Sequence, residues 1–170
     1  MINFPAKTLA CLVAAGVIAC VSAGCDSSSR APFSGSACSG YLPQKIDIMP
    51  LTSISADEHD GSADIEVYIS LQDEFGSCLK APFSARFELF RHVYRSADPR
   101  GERLKIWPDI ALKKSAANDK YWQDFLRSYK FMLDLENYNR FEGYILQVTG
   151  MCPGGSRLTA DFVLHSADGR

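Results

Sequence analysis

The sequence lacks a strong excess of either charge, because its 170 residues carry a formal net charge of -2. This balance argues against a dedicated nucleic-acid binder, since such proteins concentrate Lys and Arg to contact phosphates. Hydrophobic residues still make up 46% of the chain, which excludes a chain that stays disordered. We therefore expect one folded domain with appendages and no nucleic-acid partner.

Short catalytic motifs are also missing. The chain contains no Gly-x-Ser-x-Gly turn, no Gly-rich phosphate loop, no zinc-binding helix motif and no calcium-loop pattern. An enzyme whose site is assembled from distant strands leaves no such motif, but no other feature of the sequence favours one. The sequence therefore predicts a non-enzymatic protein without a cofactor.

The densest cluster of titratable residues is Asp57, Glu58, His59 and Asp60. Carboxylates and an imidazole can bind a divalent metal. Adjacent residues in a loop seldom all point inward, however, so we interpret this segment as a solvated loop between two strands. A metal-dependent enzyme or factor that uses this loop is kept as an alternative.

The N-terminus has the pattern of a secretory signal peptide. Lys7 is the only charged residue in the first 24, and an uncharged, mostly apolar stretch follows it to Gly24. A short positive segment, an apolar stretch and small residues before a cleavage site are typical of exported proteins. We therefore predict that residues 1–24 are removed. An uncleaved single-pass anchor is the alternative, although the stretch is slightly shorter than the ~20 apolar residues of a membrane span.

The end of this stretch is more specific. The segment VSAGC at 21–25 resembles the lipobox of bacterial lipoproteins, in which the chain is cut before the cysteine and its sulfur carries a diacylglycerol. The segment VIAC at 17–20 is a second match, but polar residues begin directly after Cys25. The resemblance implies a bacterial cell-envelope protein outside the cytoplasm, acylated at Cys25 (alternatively Cys20), with a membrane as partner of its acyl chains.

A tether and a body follow. Residues 26–43 contain six Ser, two Gly and two Pro, a composition typical of linkers. We therefore divide the mature chain into a lipidated tether at 25–43, a domain at 44–166 and a tail at 167–170.

The body has the period of two that is typical of half-buried strands. Seven such segments, with turn residues between them, predict an all-β antiparallel sandwich: 45–48, 64–72, 85–89, 104–106, 129–136, 144–148 and 158–165. One stretch differs, because Trp122, Phe125 and Leu126 have helical spacing. It predicts a short helix at about 118–127 with Asn118 or Asp119 as N-cap.

The last third of the chain resembles the final hairpin of immunoglobulin-like and fibronectin-type-III-like domains of bacterial surface proteins. The resemblance lies in GYILQV at 143–148, PGG at 153–155 and the strand at 158–164. It implies that Tyr144 forms a tyrosine corner, with its hydroxyl bonded to an upstream backbone carbonyl.

The same resemblance bears on the cysteines. Without the leader and the lipid carrier, Cys38, Cys78 and Cys152 remain, and export favours oxidation. In an immunoglobulin-like sandwich, the loops that hold Cys78 and Cys152 lie at the same end, which implies a disulfide between them. Pairing of Cys38 with either partner is one alternative, and three buried or free thiols are the other. If a disulfide does form, the odd count leaves one thiol over.

Three aromatic residues are candidate ligand contacts. Trp107, Tyr121 and Trp122 would suit stacking on a sugar ring, whereas packing in the core is the other interpretation. We expect a binding or structural module of the envelope, with an envelope protein or polysaccharide as partner. A carbohydrate-binding module built on these rings is the alternative.

Overall fold

Strands dominate the fold, because segments with alternating apolar and polar residues can bury one face in a sheet. The computed structural model describes residues 41–56 and 61–164. In chain order, their elements are β1 (Lys45–Ile48), β2 (Ser53–Ala56), β3 (Ala63–Gln72), β4 (Cys78–Leu79), β5 (Ser84–His92), β6 (Arg100–Ile106), β7 (Ile110–Ala111), α1 (Ser115–Tyr121), β8 (Trp122–Gln123), β9 (Ser128–Leu135), β10 (Tyr144–Met151) and β11 (Arg157–Leu164).

Two antiparallel sheets pack against each other as a sandwich. The first has the strand order β1-β3-β9-β8, and β2 and β4 also pair with β3. The second has the order β11-β10-β5-β6, with β7 beside β5. The predicted all-β sandwich is confirmed, since each of the seven predicted strands is present, and β2, β4, β7 and β8 are short additions. The β5–β6 pair puts the fourth predicted strand in the second sheet.

The core lies between the sheets and follows the predicted alternation. Four residues of β3 are fully buried: Ile65, Val67, Ile69 and Leu71. Across the interface, the rings of Phe87 from β5 and Phe131 from β9 lie with their centroids 5.0 Å apart. Burial of a side chain of this size stabilises a fold by about 1.5–3 kcal/mol. The apolar residues that alternate in the sequence are thus the ones that form the interface between the two sheets.

The short helix is present, but its bounds differ from the predicted 118–127. Helix α1 begins at Ser115 and ends at Tyr121, and Lys114 rather than Asn118 or Asp119 is its N-cap. Beyond Tyr121 the chain becomes extended, because Trp122 pairs with Tyr129 of β9. Hydrogen bonds of the β8–β9 hairpin therefore replace the helical bonds that the local spacing predicted.

The predicted tyrosine corner at Tyr144 is confirmed. The Tyr144 hydroxyl donates to the backbone carbonyl of Asn139 at 3.1 Å and accepts the Asn139 N–H at 2.9 Å. Burial raises the pKa of Tyr144, so the hydroxyl stays neutral and can do both. This side chain fixes the start of β10 to the loop that precedes it.

The expected disulfide between Cys78 and Cys152 is not formed in the structure. Both cysteines lie at the same end of the sandwich, as expected, but both are free thiols. Cys78 is held in the first sheet by the pairing of β4 with Gln72, whereas Cys152 follows β10 in the second sheet. Burial raises the pKa of the Cys152 thiol, which favours its protonated form.

Several predictions concern residues outside those that the structure describes. They are the signal peptide at 1–24, lipidation at Cys25 or Cys20, most of the tether at 25–43, the pairing of Cys38, the loop Asp57–Asp60 and the tail at 167–170. Within residues 41–56 and 61–164, no helix is long and apolar enough to cross a membrane.

Candidate binding surfaces

Trp107 is part of the core. Its side chain is only 5% exposed, and its indole N–H donates to the backbone carbonyl of Asp134 at 2.9 Å. A ring that stacks on a sugar must present one face to solvent. Trp107 therefore closes the sandwich just after β6 and has no open face to offer.

Tyr121 and Trp122 also pack against the core. The Tyr121 ring stacks on Phe131 with centroids 4.9 Å apart, and the Trp122 ring meets Tyr129 edge-on at 5.0 Å. Both side chains are half-buried. The three candidate rings are thus spread over separate packing contacts and do not form one exposed stacking surface.

The metal candidates Asp57, Glu58, His59 and Asp60 lie outside the described residues. Among the residues that are described, no group of three or more His, Cys, Asp or Glu side chains is placed to hold a metal ion. The metal-dependent alternative therefore remains a prediction from the sequence.

Loops gather at two opposite ends of the sandwich. The proximal end is where the described chain enters, and it comprises residues 41–44, 73–83, 112–127 and 152–157. The distal end comprises the β5–β6 turn at 93–99 and the β9–β10 loop at 136–143. The strand register shows that these two groups of loops lie at opposite ends. At the proximal end, β1 starts beside the last residue of β3, and at the distal end, β9 ends beside the first residue of β3.

The proximal end presents aromatic rings at its loop tips. Phe125 in the β8–β9 turn is 96% exposed, and Phe75 in the β3–β4 turn is 69% exposed. Tyr41, which lies 5.5 Å from Phe75 between ring centroids, is equally exposed. The Asp73 carboxylate accepts the backbone N–H groups of Phe75 and Ser77, which fixes the turn that carries Phe75.

A buried hydrogen-bond network holds the proximal loops together. The Tyr129 hydroxyl accepts the Ala81 N–H at 2.9 Å and lies 3.1 Å from both the Ala81 carbonyl and Asn118 Oδ1, to either of which it can donate. Asn118 Nδ2 in turn donates to the carbonyls of Ala81 and Leu112. We call this set the proximal latch, because it joins α1, β9 and the β4–β5 loop.

Basic side chains outnumber acidic ones at the proximal end. Its loops carry Lys80, Lys113, Lys114, Lys120, Arg127 and Arg157 against Asp73, Glu74, Asp119 and Asp124. Lys80 pairs with Asp119 and, by its hydrogen bond, lowers the pKa of that carboxyl. Lys113 and Lys114 are exposed side by side just before α1.

An apolar groove runs between the two sheets at the proximal end. Its walls include Tyr41, Pro43, Leu79, Pro82 and Cys152, and its volume is about 490 Å³. The groove opens beside the first described residues of the chain. The proximal end is therefore apolar both at its loop tips and between them.

The β5–β6 turn forms one half of the distal end. The Tyr94 ring packs at a tilt against His92 with centroids 4.2 Å apart and lies over Gly143, where a Cβ would come within 2.5 Å of the Tyr94 hydroxyl oxygen. A side chain at position 143 would therefore displace the Tyr94 ring from this contact between the two distal loops. Tyr94 itself keeps most of its surface exposed.

The β9–β10 loop forms the other half and presents Phe141, which is 89% exposed. The Asn139 side-chain oxygen accepts the Phe141 N–H at 3.0 Å, and Glu142 forms an ion pair with Arg91 of β5 at 3.3 Å. The Tyr138 N–H donates to the Gly61 carbonyl at 2.9 Å. The ring is therefore displayed on a loop that is fixed on both sides.

The sequence interpretation missed these exposed rings. Phe75 and Phe141 sit inside turn-forming stretches rich in Asp, Asn and Gly, a context in which an aromatic residue cannot belong to a strand face. Phe125 was assigned to the apolar face of a helix because of its spacing. An aromatic residue inside a turn segment was the available signal for Phe75 and Phe141.

The fold makes this chain an antiparallel β-sandwich whose loops gather at two ends. No family model matches the chain, and no curated protein matches it.

Proposed function

We propose that this protein is a bacterial envelope lipoprotein, anchored by acylation at Cys25, whose immunoglobulin-like sandwich is a non-enzymatic module that binds an envelope partner with its distal end. The lipobox-like segment at 21–25 supports the anchor. The absence of catalytic motifs from the sequence favours binding over catalysis.

One observation carries this proposal: the chain enters the sandwich at one end, and fixed loops with exposed rings lie at the other. A domain that is tethered by its proximal end leaves the distal end free for a partner. Tyr94 packs against His92, and Asn139 fixes the turn that carries Phe141, so little ordering remains to be done on binding.

The composition of the distal end favours a protein partner over a polysaccharide. Aromatic residues and Arg are enriched in protein interfaces and their hot spots. The distal loops combine Tyr94 and Phe141 with Arg95 and Arg140, and the Arg140 guanidinium lies 5.7 Å from the Phe141 ring centroid.

The test is crosslinked capture of partners by the acylated protein in its own envelope, with Phe141→Ala as the variant and Phe125→Ala as the matched control. Both rings are exposed in turns, so neither change should unfold the domain. We expect F141A to lower capture of a specific partner by about tenfold, as for a hot-spot ring, and F125A to leave it unchanged.

Equal capture by F141A and the parent protein would contradict the assignment of the distal end. Captured material that resists protease but is degraded by polysaccharide hydrolases would identify a polysaccharide partner instead of a protein. A Cys25→Ala variant in the same experiment shows whether capture depends on the anchor.

A further inference from the structure

We infer that the proximal end is a membrane-contacting surface, in which Phe125, Phe75 and Tyr41 enter the headgroup region of an anionic bilayer. This inference rests on the proposed acylation of Cys25 and adds an orientation for the domain. Under it, the domain lies on the bilayer by its proximal end and does not tumble freely on its tether.

The reach of the chain keeps the proximal end near the lipid. Sixteen residue steps separate Cys25 from Tyr41, which limits their separation to about 55 Å at full extension. Tyr41 belongs to the proximal end, so this end is the one the acyl chains hold closest to the bilayer.

The exposed rings have the placement that suits a bilayer interface. Phe125 and Phe75 occupy the tips of two different turns, and Tyr41 lies beside Phe75. The Tyr41 and Phe75 rings are in contact, and contiguous exposed apolar surface marks interaction sites, membrane sites among them. Tyr is favoured at the level of lipid headgroups because its ring is apolar and its hydroxyl is wet, and Phe is typical of the apolar side of segments that lie in this interface.

The charges of the loops also favour the proximal end as the one that faces the membrane. Six basic and four acidic residues lie in the proximal loops, whereas the described distal loops carry two basic and three acidic residues. Lys113 and Lys114 are exposed at the proximal end. Anionic lipid attracts such Lys residues within a Debye length, so the surface potential turns the proximal end toward the bilayer.

The test uses the acylated mature protein, reconstituted in vesicles of phosphatidylethanolamine and phosphatidylglycerol with brominated acyl chains, which quench Trp on contact. The variants are Phe125→Trp and, as the matched distal control, Phe141→Trp. For F125W, we expect the emission that the new indole adds to fall about two-fold or more relative to unbrominated vesicles, as for a ring at the headgroup–acyl boundary. For F141W, we expect no loss.

Equal quenching of the two variants, or quenching of neither, would overturn the inference. A blue shift of the F125W emission in whole envelope, without quenching in the lipid vesicles, would assign the proximal end to a protein partner and also overturn it. Acyl labelling of Cys25 is measured on the same preparation. Label without F125W quenching refutes only the orientation, whereas missing label refutes the anchor.

A charge-reversal pair separates the electrostatic contribution from the aromatic one. In the F125W background, Lys113→Glu with Lys114→Glu should lower the quenching, and Arg95→Glu with Arg140→Glu at the distal end should leave it unchanged. If neither pair of substitutions changed the quenching, the result would contradict the role of anionic lipid in setting the orientation.

Discussion

The proximal and distal ends close the same sandwich in different ways. At the proximal end, the latch of Tyr129 and Asn118 ties α1 and β9 to the β4–β5 loop, at a sequence separation of 37 and 48 residues. At the distal end, Tyr144 bonds only to Asn139, five residues upstream. The comparison teaches that a long-range network can hold loops whose tips are apolar and open. A local tyrosine corner is sufficient at the distal end, because an ion pair between Arg91 of β5 and Glu142 also holds the β9–β10 loop to the sheet.

We expect the largest effect on the free energy of unfolding when the Tyr129 hydroxyl is removed from the proximal latch. Tyr129→Phe removes the partner of the Ala81 N–H and of Asn118 Oδ1 in a fully buried site. Buried groups left unsatisfied cost about 1–3 kcal/mol each. We therefore expect Y129F to lower the free energy of unfolding by about 2–3 kcal/mol, measured by urea denaturation under reducing conditions.

The matched change at the distal end is Tyr144→Phe, which should cost about 1 kcal/mol because its hydroxyl serves only the backbone of Asn139. Urea denaturation of Y144F beside Y129F measures the difference. A Y144F loss equal to or above that of Y129F would show that the distal corner, and not the proximal latch, is the stronger closure.

The strands could be predicted from the sequence because burial between two sheets leaves a period of two. In β3, each of the alternating residues Ile65, Val67, Ile69 and Leu71 is buried in this interface. The tyrosine corner at Tyr144 could also be predicted, because it depends on a local hairpin and on Asn139, which lies five positions upstream.

The proximal end could not be predicted in the same way. Asn118 has the properties of an N-cap in local sequence, but its amide is satisfied by Ala81, Leu112 and Tyr129, which only the fold brings together. Trp122 and Phe125 have helical spacing, yet Trp122 pairs with Tyr129 of β9 and Phe125 lies in the turn between the two strands. A long-range hydrogen bond to Ala81 decides the position of Asn118, a hairpin decides that of Trp122, and a periodic pattern reports neither.

The smallest expected effect is an acid sensitivity of the proximal end. Lys80 lowers the pKa of Asp119 from its ordinary value of 3.8. The stabilisation is therefore complete above that value and is lost as the pH falls through the folded-state pKa. We expect Asp119→Asn to lower stability slightly near neutral pH and to flatten the loss of stability between about pH 5 and about pH 2.

Urea midpoints measured across this range test that prediction, with Lys80→Gln as the partner control. Since each change removes the same ion pair, K80Q should flatten the profile like D119N, and the double variant should add little more. Additive effects of the two changes would show that the pair does not act as a unit at the proximal end.

The central claim is that a lipid on Cys25 holds the proximal end of this sandwich at a membrane. Metabolic acyl labelling of the parent protein, Cys25→Ala and Cys20→Ala tests it most directly. The account predicts label on the parent and on C20A, and its loss from C25A together with release of the protein from the membrane fraction. Label that persists in C25A, or disappears in C20A, would contradict it.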